Sequence, residues 1–337
     1  MSQQLRLGIL GTGNIARQFI QDLRKAEHCT VTAIGSRYGD SARSFAETYG
    51  IDRHYGSYDQ LISDDQIDGI YVSLPNSLHH EWTVKALQAR KHVLCEKPLG
   101  RNVAESEQMF DTADSAGLVL TEAFVYRSHP MTHAVMQQLK NGAIGQLRAI
   151  RTNFCFATTT ITGNIRFNSD LAGGSLMDVG CYCINFSRHF AGSEPVDVHA
   201  VAHLHESGID DFAAAVMQFG NGVVASFNCG MTVQADNTAY LCGDQAYIEV
   251  PVPWKPPDKT TFCVKHSSPP RQDRPKDLDV PPVETFKIES TKPIFAHEAD
   301  DFAATVLYGA PPRITRSDSI ANMRVLDEMR RQAGIPF

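Results

Sequence analysis

Six residues near the start of the chain, Gly11-Thr12-Gly13-Asn14-Ile15-Ala16, constrain its fold more than any other stretch. They follow a largely apolar run, Leu5–Leu10, that reads as a buried strand, and they open a segment, Ile15–Lys25, that reads as a helix. A glycine at 11 permits the tight turn. A glycine at 13 lets the backbone approach a pyrophosphate, and a small side chain at 16 lets helix and strand pack closely. The unpaired N–H groups and positive dipole end of such a helix suit an anion. Alone the pattern is weak. In a strand–turn–helix context it predicts a dinucleotide site, with Gly11, Thr12, Gly13, Asn14 and Ile15 against the cofactor.

The next hundred residues alternate strand and helix. Strands are expected at Cys29–Ser36, Ile70–Leu74, His92–Cys95 and Leu118–Thr121, and helices at Ser41–Tyr49, His79–Arg90 and Val103–Ala116. This is the order of βαβ units on a parallel sheet. Near Phe124–Arg127 the pattern changes. A helix over Pro130–Lys140 precedes strand-like segments at Arg148–Phe156, Val196–Leu204, Phe212–Phe219, Val223–Cys229, Ala239–Leu241 and Tyr247–Val250. Gly220-Asn221-Gly222 between two of them is a hairpin signal. They read as one antiparallel sheet, interrupted by a helix near Ser175–Ala191. Residues 251–282, rich in proline and charge, read as a long surface loop. Helices Ala296–Tyr308 and Ser317–Gln332 close the chain. The expected architecture is α/β: a parallel-sheet, dinucleotide-binding domain over 1–124, then a second domain over 125–337, α+β with a mainly antiparallel sheet.

The 337 residues allow two domains, and a hydrophobic content of 42% is that of a globular chain. A net charge of −7 argues against nucleic acid as a partner. No apolar run has the length of a membrane span, and the first strand begins at Leu5, leaving no room for a leader, so a cytoplasmic location is expected. The eight cysteines then read as free thiols.

An acidic side chain after the second strand holds the ribose 2′-hydroxyl in the NAD version of this fold. Here that position reads Gly35-Ser36-Arg37-Tyr38, without a carboxylate. A hydroxyl and a guanidinium suit a 2′-phosphate, so Ser36 and Arg37 predict NADP, with NAD as the alternative. An isolated arginine is otherwise a solvated surface cation.

Four ordered motifs carry a wider resemblance. Val93-Leu94-Cys95-Glu96-Lys97-Pro98 is similar to the Glu-Lys-Pro signature of the Gfo/Idh/MocA oxidoreductases. So are Leu74-Pro75-Asn76-Ser77-Leu78-His79-His80 upstream, the stretch from Gly173-Gly174-Ser175 through Asp178 to Tyr182, and Glu298-Ala299-Asp300-Asp301-Phe302. The sugar-oxidising branch, with glucose–fructose oxidoreductase, xylose dehydrogenase and dimeric dihydrodiol dehydrogenase, is most similar. The resemblance implies that Leu74, Pro75, Asn76, His79, Glu96 and Lys97 border the cofactor. It implies a Rossmann domain over 1–124, a substrate-binding and oligomerisation domain over 125–337 with an open-faced sheet, and an unusual peptide geometry before Pro98. Arg166 resembles an arginine that reaches cofactor or substrate, although Ile165 stands where the family has tryptophan.

The chemistry of these residues agrees. Lys97 lies past the carboxyl end of a parallel strand, where ligands bind in open α/β sheets. Its ammonium can polarise a substrate oxygen and lower the pKa of the Tyr182 phenol, which starts near about 10. Asp178, four residues before Tyr182, can orient the substrate or Lys97. Lys97, Tyr182 and Asp178 are therefore the catalytic candidates. The plain alternatives are a surface lysine, a core tyrosine and a capping aspartate. Arg127 and His129 are candidates for the substrate pocket. His199, His203 and His205 share a strand face, but a solvated or interface face reads better than a metal site.

Together these features predict an NADP-dependent dehydrogenase for a sugar or polyol carbon. A dihydrodiol dehydrogenase or ketosugar reductase would use the same residues. A catalytically silent NADP-binding sensor is the alternative of another class. An open sheet face predicts a homodimer or homotetramer.

Overall fold

In the computed structural model, residues 4–266 and 282–335 are described. Six parallel strands form the first sheet: β1 (Leu5–Leu10), β2 (Cys29–Gly35), β3 (Arg53–Tyr55), β4 (Gly69–Val72), β5 (His92–Glu96) and β6 (Leu120–Ala123). Their order is β3-β2-β1-β4-β5-β6, the doubly wound arrangement with its crevice at the carboxyl ends of β1 and β4. Helices α1 (Asn14–Leu23), α2 (Gly39–Tyr49), α3 (Tyr58–Ile62), α4 (His79–Gln88) and α5 (Val103–Ala116) connect them. The short β3 and α3 carry too few residues for a visible period and were not foreseen.

The second sheet has eight strands: β7 (Leu147–Cys155), β8 (Pro195–Leu204), β9 (Asp210–Phe219), β10 (Val224–Gly230), β11 (Ala239–Gly243), β12 (Ala246–Val250), β13 (Lys259–His266) and β14 (Val283–Glu289). Their order is β14-β13-β12-β11-β7-β10-β9-β8. The sheet is mixed, because β7 and β10 run parallel in its middle, and antiparallel elsewhere. The loop expected over 251–282 is in part a strand, β13, paired with β12 and β14; residues 267–281 lie outside the described residues.

One face of this sheet is covered by α6 (Pro130–Lys140), α7 (Cys181–Ala191) and the returning α9 (Arg316–Gln332) around a core that includes Phe186, Phe219 and Leu241. The other face is bare around Val201, Phe212, Val216 and Val224, which are 42 to 71% exposed. Helix α8 (Ile294–Tyr308) lies in sequence with the second domain. Its Phe295, Ala299 and Phe302 nevertheless share a core with Leu7, Ile9 and Phe19 of the first sheet and α1. Asp300 ties it there by accepting from the Glu27 and His28 amides. Among the described residues no helix is long and apolar enough to cross a membrane.

The approach to α7 is the part of the fold that aims the site. Residues Leu176–Gly180 form one wide helical turn that runs straight into α7. Its start is held by Asp210 of β9. One carboxylate oxygen accepts from the Ser175 hydroxyl and the Leu176 amide, both at 2.7 Å. Gly174 has φ of +116°, and a Cβ there would strike the same carboxylate. Burial pushes the Asp210 carboxyl up to about 6.

Asp210→Ala leaves a buried hydroxyl and a buried amide without an acceptor. The expected loss is about 2–3 kcal/mol of stability, read as an earlier denaturation midpoint. Asp210→Asn keeps the oxygen and most of the stability.

Candidate active site

The Gly-rich turn has the form expected of an anion cradle. Gly11 has φ of +106° and a Cβ there would press on the Ser73 carbonyl, so backbone passes close to backbone. Gly13 and Asn14 are exposed at the start of α1, which has no side-chain cap and no acidic residue in its first turn. The residues present fit a pyrophosphate. Ser36 is buried at the end of β2 and its hydroxyl accepts from the Tyr38 amide; Arg37 is exposed beside the Tyr38 ring.

Lys97 follows β5, and its bond to Pro98 is cis. Three buried groups fix this turn. The Glu96 carboxylate accepts from the Lys97 amide and, on its other oxygen, from the Tyr71 hydroxyl at 2.5 Å. His79 has both ring nitrogens 2.9 Å from carbonyls, those of Leu74 and Pro98. Glu122 of β6 accepts from the Leu99 amide at 2.9 Å. His79 is fully buried and both its nitrogens are engaged, so it staples the Leu74–Asn76 turn to the Lys97 turn from behind and offers no free atom to a cofactor. Asn76 donates to the Ala172 carbonyl, joining the first domain to the second at the site.

Lys97 meets the second domain at Asp178. Its ammonium donates to the Asp178 backbone carbonyl at 2.7 Å and stands 3.5 Å from the carboxylate. The other carboxylate oxygen accepts from Arg166 Nε at 2.6 Å. Burial pulls the Lys97 ammonium down, but Asp178, Cys181 and Glu96 together more than offset this, and the group stays protonated beyond its ordinary range. Burial raises the Asp178 carboxyl, yet Lys97 and Arg166 hold it below the usual carboxylate range.

The same ammonium lies over the Tyr182 ring, 4.9 Å from its centroid. The expectation that Lys97 would lower this phenol is not met in the unliganded site. Burial, followed by the charge of Glu96, holds the Tyr182 hydroxyl well above its ordinary value. Around it stands an aromatic wall. Phe124 and Phe154 meet the Tyr182 ring edge-on at 5.3 Å, and Trp254 stacks on Phe154 at 5.2 Å and 3°. The Trp254 indole is fixed by donating to the Asn153 carbonyl. Next to it Lys255 spans to α1, donating to Gln18.

Trp254 and Lys255 fell in a stretch read as loop, where no periodicity marked them. Asp210 and Glu122 had no signal either, because each acts on a backbone distant in sequence. Arg127 and His129, the candidates for the substrate pocket, have their hydrogen-bonding groups engaged elsewhere. Arg127 pairs with Asp318 at 2.9 Å and Asn185 at 3.1 Å. His129 caps α6 through the Met131 amide, and burial lowers it to about 4. The three strand histidines have separate neighbours: Asp197 for His199, Asp211 for His203 and Ser207 for His205.

Residues 5–124 match the family described as "Oxidoreductase family, NAD-binding Rossmann fold", and residues 132–249 match the "GFO/IDH/MocA C-terminal domain". The chain is 35% identical over 270 residues to the trans-1,2-dihydrobenzene-1,2-diol dehydrogenase of Mus musculus, covering 79% of this chain and 80% of that one. It is 32% identical to D-xylose 1-dehydrogenase (NADP(+)) 2 of Haloferax volcanii, over 98% and 97%. Among solved structures, the 3-ketoreductase KijD10 of Actinomadura kijaniata, in complex with NADP and TDP-benzene, superposes with a TM-score of 0.88 at 30% identity, over 98% of each chain. Both domains match one family and the relatives are named dehydrogenases and a reductase, so the chain belongs to the Gfo/Idh/MocA oxidoreductase family.

Proposed function

We propose that this oxidoreductase uses NADP to interconvert a hydroxyl-bearing carbon and a carbonyl carbon of a sugar or polyol. The observation that carries this reading is the Lys97 ammonium, which lies over the Tyr182 ring and is fixed by Asp178. The nicotinamide, when bound, supplies the hydride acceptor or donor. The chain supplies the rest. The Lys97 ammonium holds the substrate oxygen and offsets negative charge on it. The Tyr182 hydroxyl exchanges the proton of that oxygen. Asp178, shared between Lys97 and Arg166, keeps the ammonium charged and aimed. The Phe154–Trp254 wall suits the C–H face of a sugar ring. It suits the ring of a dihydrodiol equally, which favours dihydrodiol oxidation as a second reading; a mouse relative bears that name.

Lys97→Met is expected to lower turnover by roughly 100-fold or more while cofactor affinity changes little. The test is reduced-nicotinamide absorbance with a panel of aldoses, polyols and dihydrodiols. Full activity in the variant would overturn the mechanism, and no turnover by the wild type across the panel would favour a silent sensor. The raised phenol sets the pH dependence. Tyr182 stays protonated through neutrality, so carbonyl reduction holds its rate there, whereas oxidation, which needs the phenolate, speeds up toward alkaline pH. Asp178 stays ionised below the ordinary carboxylate range, so its protonation causes no loss near pH 5.

Arg37 and Ser36 support NADP over NAD, since no carboxylate stands at positions 36–38 to repel a 2′-phosphate. Arg37→Ala is expected to weaken NADP binding about 10-fold or more and leave NAD binding nearly unchanged. Titration of both cofactors reads this directly, and a wild type that prefers NAD would refute the assignment.

The bare sheet face supports self-association. Val201, Val216 and Val224 form an apolar patch on it, and a second copy of this face is the occupant proposed for a homodimer or homotetramer. Light scattering at micromolar concentration is expected to report at least a dimer, and Val201→Glu with Val216→Glu to give the monomer. A monomeric wild type would remove the proposal.

A further inference from the structure

The segment that follows β12, Pro251-Val252-Pro253-Trp254-Lys255-Pro256-Pro257, has little backbone freedom. Its prolines fix φ, and the proline after Lys255 disfavours a helical turn there. Trp254 is anchored by its indole and by the stack on Phe154. Lys255 is thus carried on a stiff arm of the second domain, and its side chain reaches the first. The ammonium donates to Gln18 Oε1 of α1 at 3.2 Å and lies over the Phe295 ring of α8, 5.3 Å from its centroid.

Among the described residues no carboxylate pairs with this ammonium, and Gln18 offers it only a neutral oxygen. The carboxylates around it are committed elsewhere. Asp178 is shared by Lys97 and Arg166, Glu96 accepts from the Tyr71 hydroxyl and the Lys97 amide, and Asp22 accepts from the Phe295 amide. Glu298 is 5% exposed, and burial, joined by the like charge of Glu96, favours its neutral form. The Lys255 side chain as a whole is exposed, but its ammonium is crowded by both domains. Burial draws it below the ordinary lysine range, with Glu96 opposing the effect and Lys97 adding to it. A partly desolvated ammonium with a neutral partner gains by acquiring an anion.

Its position indicates which anion. Ile15, Gln18 and Asp22 are spaced three and four residues apart, on one face of α1. Ile15 belongs to the anion cradle, about 5 Å along the helix from Gln18 and within the swing of a lysine side chain. On its other side Lys255 is within electrostatic reach of Lys97 and Asp178. A dinucleotide with its pyrophosphate at the start of α1 and its nicotinamide beside Lys97 passes between these points. We propose that Lys255 exchanges Gln18 for the pyrophosphate of the bound dinucleotide and clasps it from the second domain, opposite the amides of α1. The clasp rests on the dinucleotide reading of the crevice. It depends neither on the 2′-phosphate nor on the substrate.

Fluorescence titration of the whole chain reads the clasp. Lys255→Met is expected to weaken NADP and NAD alike, by roughly tenfold or more, because both carry the pyrophosphate. Arg37→Ala, by contrast, spares NAD. The probe 2′-phospho-ADP-ribose, which has the pyrophosphate and no nicotinamide, is expected to lose affinity to the same extent. Adenosine 2′-monophosphate, which has no pyrophosphate, is expected to bind unchanged. Lys255→Arg keeps a cation and is expected to recover most of the affinity. Gln18→Leu removes only the resting partner and is expected to bind the dinucleotide no less tightly than the wild type. Equal Kd in the wild type and Lys255→Met would overturn the clasp. So would a loss confined to ligands that carry nicotinamide, a loss that extends to adenosine 2′-monophosphate, or no recovery with arginine. A loss in Gln18→Leu as large as that in Lys255→Met would reduce Lys255 to a latch between domains and overturn it too. A wild type that binds neither dinucleotide would instead remove the reading of the crevice on which the clasp rests.

Discussion

The contact between Lys97 and Asp178 is the constraint on which the rest of the site depends. It crosses between domains and lies largely out of water, with side chains 12% and 16% exposed. Such a pair gains little stability by itself, because desolvation cancels much of the attraction. Its value is geometric. The ammonium is bound by the Asp178 carbonyl as well as its carboxylate, and the second carboxylate oxygen is taken by Arg166. Three directions are fixed, and the ammonium is left over the Tyr182 ring. Each end has its own anchor. Glu96, His79 and Glu122 hold the Lys97 turn, and Asp210 holds the turn that carries Asp178.

This dependence explains which parts of the architecture were legible from sequence. The strands of the first sheet are buried on both faces and separated by amphipathic helices, so local pattern and global fold agree there. The second sheet shows itself by alternation on β8 and β9, where every second residue faces water. What alternation does not carry is pairing. Residues 156–223 separate β7 from β10, and only the closed fold shows that they run parallel. The edge strand β14 hid for a different reason. Its Glu284, Lys287 and Glu289 alternate with other residues on a mostly exposed edge, where charge hinders further pairing, and so short a mixed run gives no clear strand signal.

The candidate site divides along the same line. Lys97, Asp178 and Tyr182 were readable because each lies in a short motif whose spacing survives without the fold. His79 was readable as a position but not as a role. Its surroundings, two carbonyls from different turns, exist only once α4 has docked behind β5. Trp254 has no motif at all. It enters the site because the chain leaving β12 folds back and stacks Trp254 on Phe154 of β7, two strands away in the sheet. Residues that lie in a short motif were thus legible as candidates, and residues placed only by the closed fold were not.

The electrostatics of the unliganded site bear on direction. A neutral phenol beside an ammonium is a set of two proton donors, which suits a carbonyl oxygen waiting to gain negative charge. The reverse reaction asks the phenol to accept a proton, and for that it must first lose one in a buried setting next to Glu96. Lys97 alone does not supply enough positive charge, since its own field is already shared with Asp178. The oxidised nicotinamide carries a further positive charge, and the reduced one does not. On the proposed reading, the phenol of Tyr182 would be easier to ionise in the complex from which oxidation starts and harder in the complex from which reduction starts. On that same reading, the proton affinity of a single side chain would follow the redox state of the cofactor beside it, and one arrangement of residues would serve both directions.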